Sequence, residues 1–235
     1  MRLIELIILL AAAFLPPILY AIWIRNTERY HRERWKPIAL CFLWGATFAV
    51  IAAIILELFL GISITLTLQE GSFVQIIAIL FLAPVAEELV KPLALTLPSV
   101  HRELTEYEDG LIYGAVAGLG FSATENLLYG WGFWSEGFVF FIIFMIIRSI
   151  GGCLLHASAT ALTGYGYGKT VLSHKSVLRL IPYFIVAVLA HAFYNFLVSW
   201  SQIGAIAGLL AALLFAVLLI KYVRGKIRML DTAHP

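Results

Sequence analysis

Long apolar segments constrain this chain more than any other feature of its sequence. Runs of about 20 hydrophobic residues recur along the 235 residues, and short polar stretches separate them. Hydrophobic residues make up 62% of the chain and charged residues only 13%. In soluble domains, about half of the residues are hydrophobic and about a quarter are charged. The sequence therefore predicts an all-α, polytopic membrane helix bundle, a single domain over 1–235 that contacts the lipid bilayer.

Seven membrane spans account for the apolar segments. We place them at about 3–24, 37–60, 73–97, 109–131, 138–164, 181–200 and 204–222. The first is long enough to span and lacks a convincing cleavage site, so we interpret it as a membrane helix and not as a signal peptide.

The basic residues predict the orientation of these spans. Of 16 lysines and arginines, 13 fall on one side of the membrane and only Arg2 on the other, while Lys91 and Arg148 lie inside spans. The positive-inside rule then puts the N-terminus outside and the C-terminus in the cytoplasm, and we expect the membrane to be the cell membrane. The basic residues occupy short connectors, so they do not indicate a nucleic-acid partner.

Polar groups occur inside four consecutive predicted spans, where each charge costs free energy. Glu87 and Glu88 are adjacent in the third span, and Lys91 follows one turn later. The next three spans add Glu125, Asn126, Arg148, His156, His191 and Asn195. A lone residue of these types usually makes an interhelical hydrogen bond, but so many across four spans favour a functional site.

Carboxylates combined with histidines suit the activation of water for hydrolysis. We expect Glu87 or Glu88 to act as general base, and His191 with Asn195 to stabilise the oxyanion. His156 and Glu125 would be their partners. The expected electrostatic or supporting residues are Lys91, Asn126 and Arg148. Glu57, near the outer end of the second span, is interpreted as structural.

A divalent metal such as zinc is compatible with the same residues. Glu88, His156 and His191 could provide three protein ligands and leave a fourth position open. However, the HExxH motif is absent and the two histidines come from different helices. The sequence therefore leaves open whether the site uses a metal or no cofactor. Cys41 and Cys153 are interpreted as small buried apolar residues.

Several of these residues stand in motifs that resemble the PrsW-type intramembrane proteases. The motifs are Glu87-Glu88-x-x-Lys91, Asp109-Gly110-x-x-Tyr113-Gly114, Phe121-x-x-x-Glu125-Asn126, His156 in a small-residue helix and His191-x-x-x-Asn195. The family-like core extends over about 73–200. PrsW proteins are similar in turn to the CAAX prenyl endopeptidases and bacteriocin-processing membrane proteases. Those carry histidine where this chain has Glu125, which argues against prenyl-protein processing.

The resemblance implies an intramembrane endopeptidase that cleaves membrane-anchored protein substrates with glutamate-activated water. The mechanism would be of the glutamic or the metallo type. The alternative is a proton- or ion-coupled membrane transporter with an intramembrane Glu/His relay. The chain shows no internal repeat of the kind that many transporters contain, which favours the protease.

Overall fold

The computed structural model describes residues 2–199 and 204–233, and every regular element in these ranges is a helix. The α-helices are α1 (Leu3–Arg25), α2 (Trp35–Trp44), α3 (Val50–Thr67), α4 (Phe73–Val90), α5 (Pro98–His101), α6 (Tyr107–Phe133), α7 (Phe138–Leu172), α8 (Ile181–Ser199) and α9 (Ala205–Asp231). A π-helical turn joins α2 to α3, and a 3-10 helix over Lys91–Thr96 continues α4. Trp200 and the connector predicted at 201–203 lie outside the described residues.

Six helical segments in the described residues are long and apolar enough to cross a membrane. They are Leu3–Arg25, Trp35–Thr67, Phe73–Thr96, Phe138–Leu172, Val177–Ser199 and Ala205–Asp231. The span predicted at 109–131 corresponds to α6, which is long enough but carries Glu108, Asp109 and Glu125. The all-α membrane fold is confirmed, whereas the count of seven spans and the orientation of the termini stay predictions.

Helix α6 lies at the centre of the bundle, and every residue from Glu108 to Ala123 is buried. It packs against α1, α2, α7 and α9. Protein rather than lipid surrounds most of this helix, so its small and polar residues are compatible with a position inside the bundle. That position brings Glu125 close to groups on other helices.

Glycines on α6 allow α7 to approach at backbone distance. A Cβ atom on Gly114 would lie 2.5 Å from the carbonyl oxygen of Thr160, and one on Gly118 would lie 2.2 Å from that of His156. Neither oxygen can move away without moving the backbone of α7. This close contact sets His156 beside α6.

Helix α7 is longer than its predicted span. The sequence places the end of the fifth span at 164, but the helix continues to Leu172. A Cβ atom on Gly164 would lie 2.2 Å from the carbonyl oxygen of Gly110, and one on Gly166 would lie 2.6 Å from the ring of Tyr183. These glycines are buried packing positions inside a continuous helix, so the helix does not end with the predicted span.

Candidate active site

The acidic pair stands at the end of α4, where the chain tightens into the 3-10 helix that begins at Lys91. The Lys91 side chain is fully buried, and its Nζ donates to Glu87 Oε2 at 2.6 Å and to Glu88 Oε1 at 2.9 Å. The ring of Phe121 covers the ammonium, with its centroid 4.3 Å from Nζ. Lys91 therefore pairs with both glutamates rather than with one of them.

His156, on α7, connects Lys91 to Glu125 on α6. Its Nδ1 lies 2.9 Å from Lys91 Nζ, and its Nε2 lies 2.8 Å from Glu125 Oε2. An ammonium only donates hydrogen bonds, so Nδ1 accepts and the ring proton resides on Nε2. A carboxylate only accepts, so Nε2 donates to Glu125. The two contacts together orient the imidazole.

His191, on α8, contacts the acidic pair of α4. Its Nδ1 lies 3.0 Å from Glu88 Oε1 and therefore donates to that carboxylate, while Nε2 lies 3.9 Å from Glu87 Oε2. Its ring stands nearly perpendicular to that of His156, with the centroids 4.9 Å apart. Nε2 of His191 is thus left available on the side of Glu87.

Arg148 pairs with Glu125 and not with the glutamates of α4. Its Nη2 donates to Glu125 Oε2 at 2.6 Å, and its Nε donates to Asn126 Oδ1 at 2.7 Å. Asn126 in turn donates through Nδ2 to the sulfur of Cys153 at 3.4 Å, and Cys153 is a free, buried thiol. Asn126 and Arg148 hold Glu125 in place.

A polar cavity of about 420 Å³ opens onto this network. Glu87, Glu125, Arg148, His156, His191 and Asn195 line it together with apolar side chains. Asn195 is half-buried, and its side chain makes no hydrogen bond to the described residues, so the side-chain amide is free to bind another group.

The two adjacent glutamates have different surroundings. Glu87 lines the polar cavity. Glu88 is 0% exposed and lines a separate, mostly apolar cavity of about 410 Å³, and its Oε2 accepts a hydrogen bond from Thr160 at 2.9 Å. Adjacent residues on a helix point about 100° apart, which is why one faces the cavity and the other does not.

The chemistry of this donor set fits a divalent metal. Glu87, Glu88, His156 and His191 are buried, and each offers one ligand atom within 4.8 Å of the others. Carboxylate oxygens and imidazole nitrogens are ligands that zinc accepts in proteins. Lys91 donates to three of these four residues, so the protein's own ammonium neutralises part of the same set.

Three residues near the site were not among the predicted site residues. Phe121 covers Lys91, and Thr160 binds Glu88. Thr160 lies four residues after His156, so helical spacing from a candidate histidine could have indicated it. Glu57, interpreted as structural, lines a cavity of about 340 Å³ that also reaches Glu87 and Glu125.

Comparison with known proteins identifies the family. Residues 33–222 match the model of the PrsW family of intramembrane metalloproteases. The matched range extends beyond the predicted family-like core of about 73–200 and includes every residue of the site. Protease PrsW of Clostridioides difficile (strain 630) is 27% identical over 190 residues, covering 79% of this chain and 76% of that protein. No solved structure matches. The chain therefore belongs to the PrsW family of intramembrane metalloproteases and is a membrane-embedded protease.

Proposed function

We propose that this chain is an endopeptidase of the cell membrane that cleaves membrane-anchored proteins with water activated at Glu87. The observation that supports this most is the meeting of two carboxylates and two imidazoles from α4, α7 and α8 beside a polar cavity. Water and a polar peptide bond need such a cavity, because the surrounding bilayer offers neither of them hydrogen bonds.

Glu87 is the better candidate for the general base. It lines the polar cavity, whereas Glu88 is fully buried and accepts hydrogen bonds from Lys91, Thr160 and His191. A general base must come within hydrogen-bond reach of the water whose proton it takes. Glu88 would then position His191 through Nδ1 and take no proton itself.

Asn195 and His191 are proposed to stabilise the oxyanion that forms when water attacks the scissile carbonyl. The amide of Asn195 has no partner in the described residues and can donate to it. Neutral His191 offers a lone pair at Nε2, so it donates there only after protonation. Nε2 lies 3.9 Å from Glu87 Oε2, so an approach closer by about 1 Å would let the proton taken from water pass to His191 and then to the leaving amine.

In a metallo-type mechanism, a divalent metal such as zinc would be held by Glu88, His156 and His191, and would supply Lewis-acid polarisation of the carbonyl when bound. His191 would then be a ligand and would not carry the proton. Glu125, fixed by Arg148 and His156, would keep the His156 ring in its orientation. Lys91 donates to two of these three ligands, so the ammonium and a metal compete for the same groups.

Cleavage of membrane-anchored peptides by the purified protein in liposomes tests the proposal. We expect Glu87→Gln to lower turnover at least about 100-fold, because it removes the base. Glu103→Gln, which changes a carboxylate outside the site, is the control. Full turnover by both Glu87→Gln and Glu88→Gln would contradict the scheme. Proton- or ion-coupled flux without any cleavage would instead support the transporter.

Metal analysis of the same preparations decides between the two types of mechanism. If a metal participates, activity and metal content fall together in His156→Ala and His191→Ala, and a chelator removes both. Full activity of a metal-free preparation would support a mechanism that depends on glutamate alone.

A further inference from the structure

A second group of carboxylates lies where the α1–α2 loop meets the first turn of α6. Glu28, Glu106 and Glu108 each offer an oxygen atom within 4.8 Å of the others. Glu108 and Glu125 lie on the same helix, and a rise of 1.5 Å per residue puts them about 25 Å apart along its axis. This acidic cluster is therefore separate from the active site, and the proposed function makes no use of it.

The carboxylates of the acidic cluster are buried without partners. Glu28 and Glu108 are both 0% exposed. Both side-chain oxygens of Glu108, Oε1 of Glu28 and Oε2 of Glu106 are buried and accept no hydrogen bond within the described residues. Buried carboxylates are normally paired with a cation or hydrogen-bonded, because an isolated one loses its hydration without compensation.

Backbone hydrogen bonds hold the Glu28 side chain and the loop that carries it in place. The amide of Glu33 donates to Glu28 Oε2 at 3.1 Å. Asp231, at the end of α9, accepts from the amides of Arg29 at 3.0 Å and Tyr30 at 3.1 Å, which ties the loop to a third element. The loop is thus anchored directly after Glu28, to the Glu28 side chain and to the end of α9.

The carboxylates of the acidic cluster have few cationic partners. His31 Nδ1 lies 3.2 Å from Glu106 Oε1, but the His31 side chain is 60% exposed. Within the described residues, no lysine or arginine forms an ion pair with Glu28 or Glu108.

We propose that Glu28, Glu106 and Glu108 bind a hard divalent cation, Mg²⁺ or Ca²⁺, that fastens the α1–α2 loop to the start of α6. The available donors are all carboxylate oxygens, which these two ions prefer, and neither imidazole nor thiolate takes part. The ion supplies the positive charge that the protein itself does not bring to the four unpartnered oxygens.

Ion binding to the full-length protein in detergent tests this site. The tested protein carries Glu87→Gln, which removes one carboxylate from the possible metal ligands of the active site. Chelator treatment followed by dialysis removes the ions already bound. Mg²⁺ and Ca²⁺ are then titrated separately, with calorimetry and the melting temperature as measurements. We expect saturable binding of about one ion per chain, and a melting temperature that rises with ion concentration, because the ion binds only the folded state.

Variants of the cluster locate the binding. Glu28→Gln and Glu108→Gln, each added to the same background, should weaken binding at least about tenfold, because each removes a charged ligand. Glu103→Gln is the matched control, since Glu103 pairs with Arg34 outside the cluster, and it should bind as the background does.

Three results would overturn the inference. The first is no saturable binding of either ion to the Glu87→Gln protein. The second is unchanged binding in both cluster variants. The third is binding that disappears in His156→Ala, which would assign the ion to the active site. If one cluster variant fails to fold, the other gives the comparison, and the first and third results still apply.

Discussion

At the scale of single residues, the site depends on the electrostatics of Lys91. Its ammonium is fully buried, and its contacts to Glu87, Glu88 and His156 Nδ1 use all three donor positions. Removing one partner of a buried ion pair leaves the other charge uncompensated, which costs about 3–5 kcal/mol. Lys91→Met should therefore lower the melting temperature strongly, whereas Lys91→Met/Glu88→Gln should recover part of the loss. Equal melting temperatures for Lys91→Met and the unaltered protein would contradict this pairing.

Two threonines one turn apart on α7 provide a matched pair for the role of Glu88. Thr160 donates to Glu88 Oε2 at 2.9 Å, while the buried hydroxyl of Thr163 has no hydrogen-bond partner among the described residues. A hydrogen bond to a charged group contributes about 1.5–3 kcal/mol. Thr160→Val should therefore lower kcat/KM by about tenfold or more, and Thr163→Val should leave it unchanged with an equal or higher melting temperature. Equal kinetics for the two variants would argue against a role for Thr160.

At the scale of the elements, the contact between α6 and α7 controls the alignment of Glu125 with His156. Gly118→Ala would put a Cβ atom 2.2 Å from the His156 carbonyl oxygen, so the two helices must separate. A misplacement of about 1 Å can cost about 100-fold in rate. We expect a loss of that order in kcat, measured by peptide cleavage. Gly132→Ala, on the same helix with nothing within 4 Å of the added atom, should retain activity.

At the scale of the whole molecule, the predicted topology can be tested by cysteine labelling. Ser135 and Ser176 are both exposed, and the seven-span prediction puts them outside and in the cytoplasm respectively. Ser135→Cys should react with a membrane-impermeant maleimide in intact cells, whereas Ser176→Cys should react only after permeabilisation. Cys41 and Cys153 are buried, so the unaltered protein is the control. Labelling of both positions from the same side would contradict the predicted crossing of α7.

Periodicity and spacing within single helices made much of this protein predictable from its sequence. Long apolar runs require helices that satisfy their own backbone hydrogen bonds in lipid, so the all-α membrane fold followed from composition alone. The pairing of Lys91 with the acidic pair was also accessible, because i,i+3 and i,i+4 neighbours meet on any helix. The continuation of α7 to Leu172 could not be predicted in this way, because Gly164 and Gly166 pack against Gly110 and Tyr183 from other helices.

The sequence by itself determined the fold class and the set of polar residues, since both depend on the cost of exposing charge and backbone to lipid. Only the tertiary structure decided that Glu87 faces the polar cavity while Glu88 is enclosed by Thr160 and His191. It also brought Glu28 beside Glu108, about 80 residues later in the chain. Contacts of this kind join distant helices, and their geometry depends on packing that no local spacing encodes.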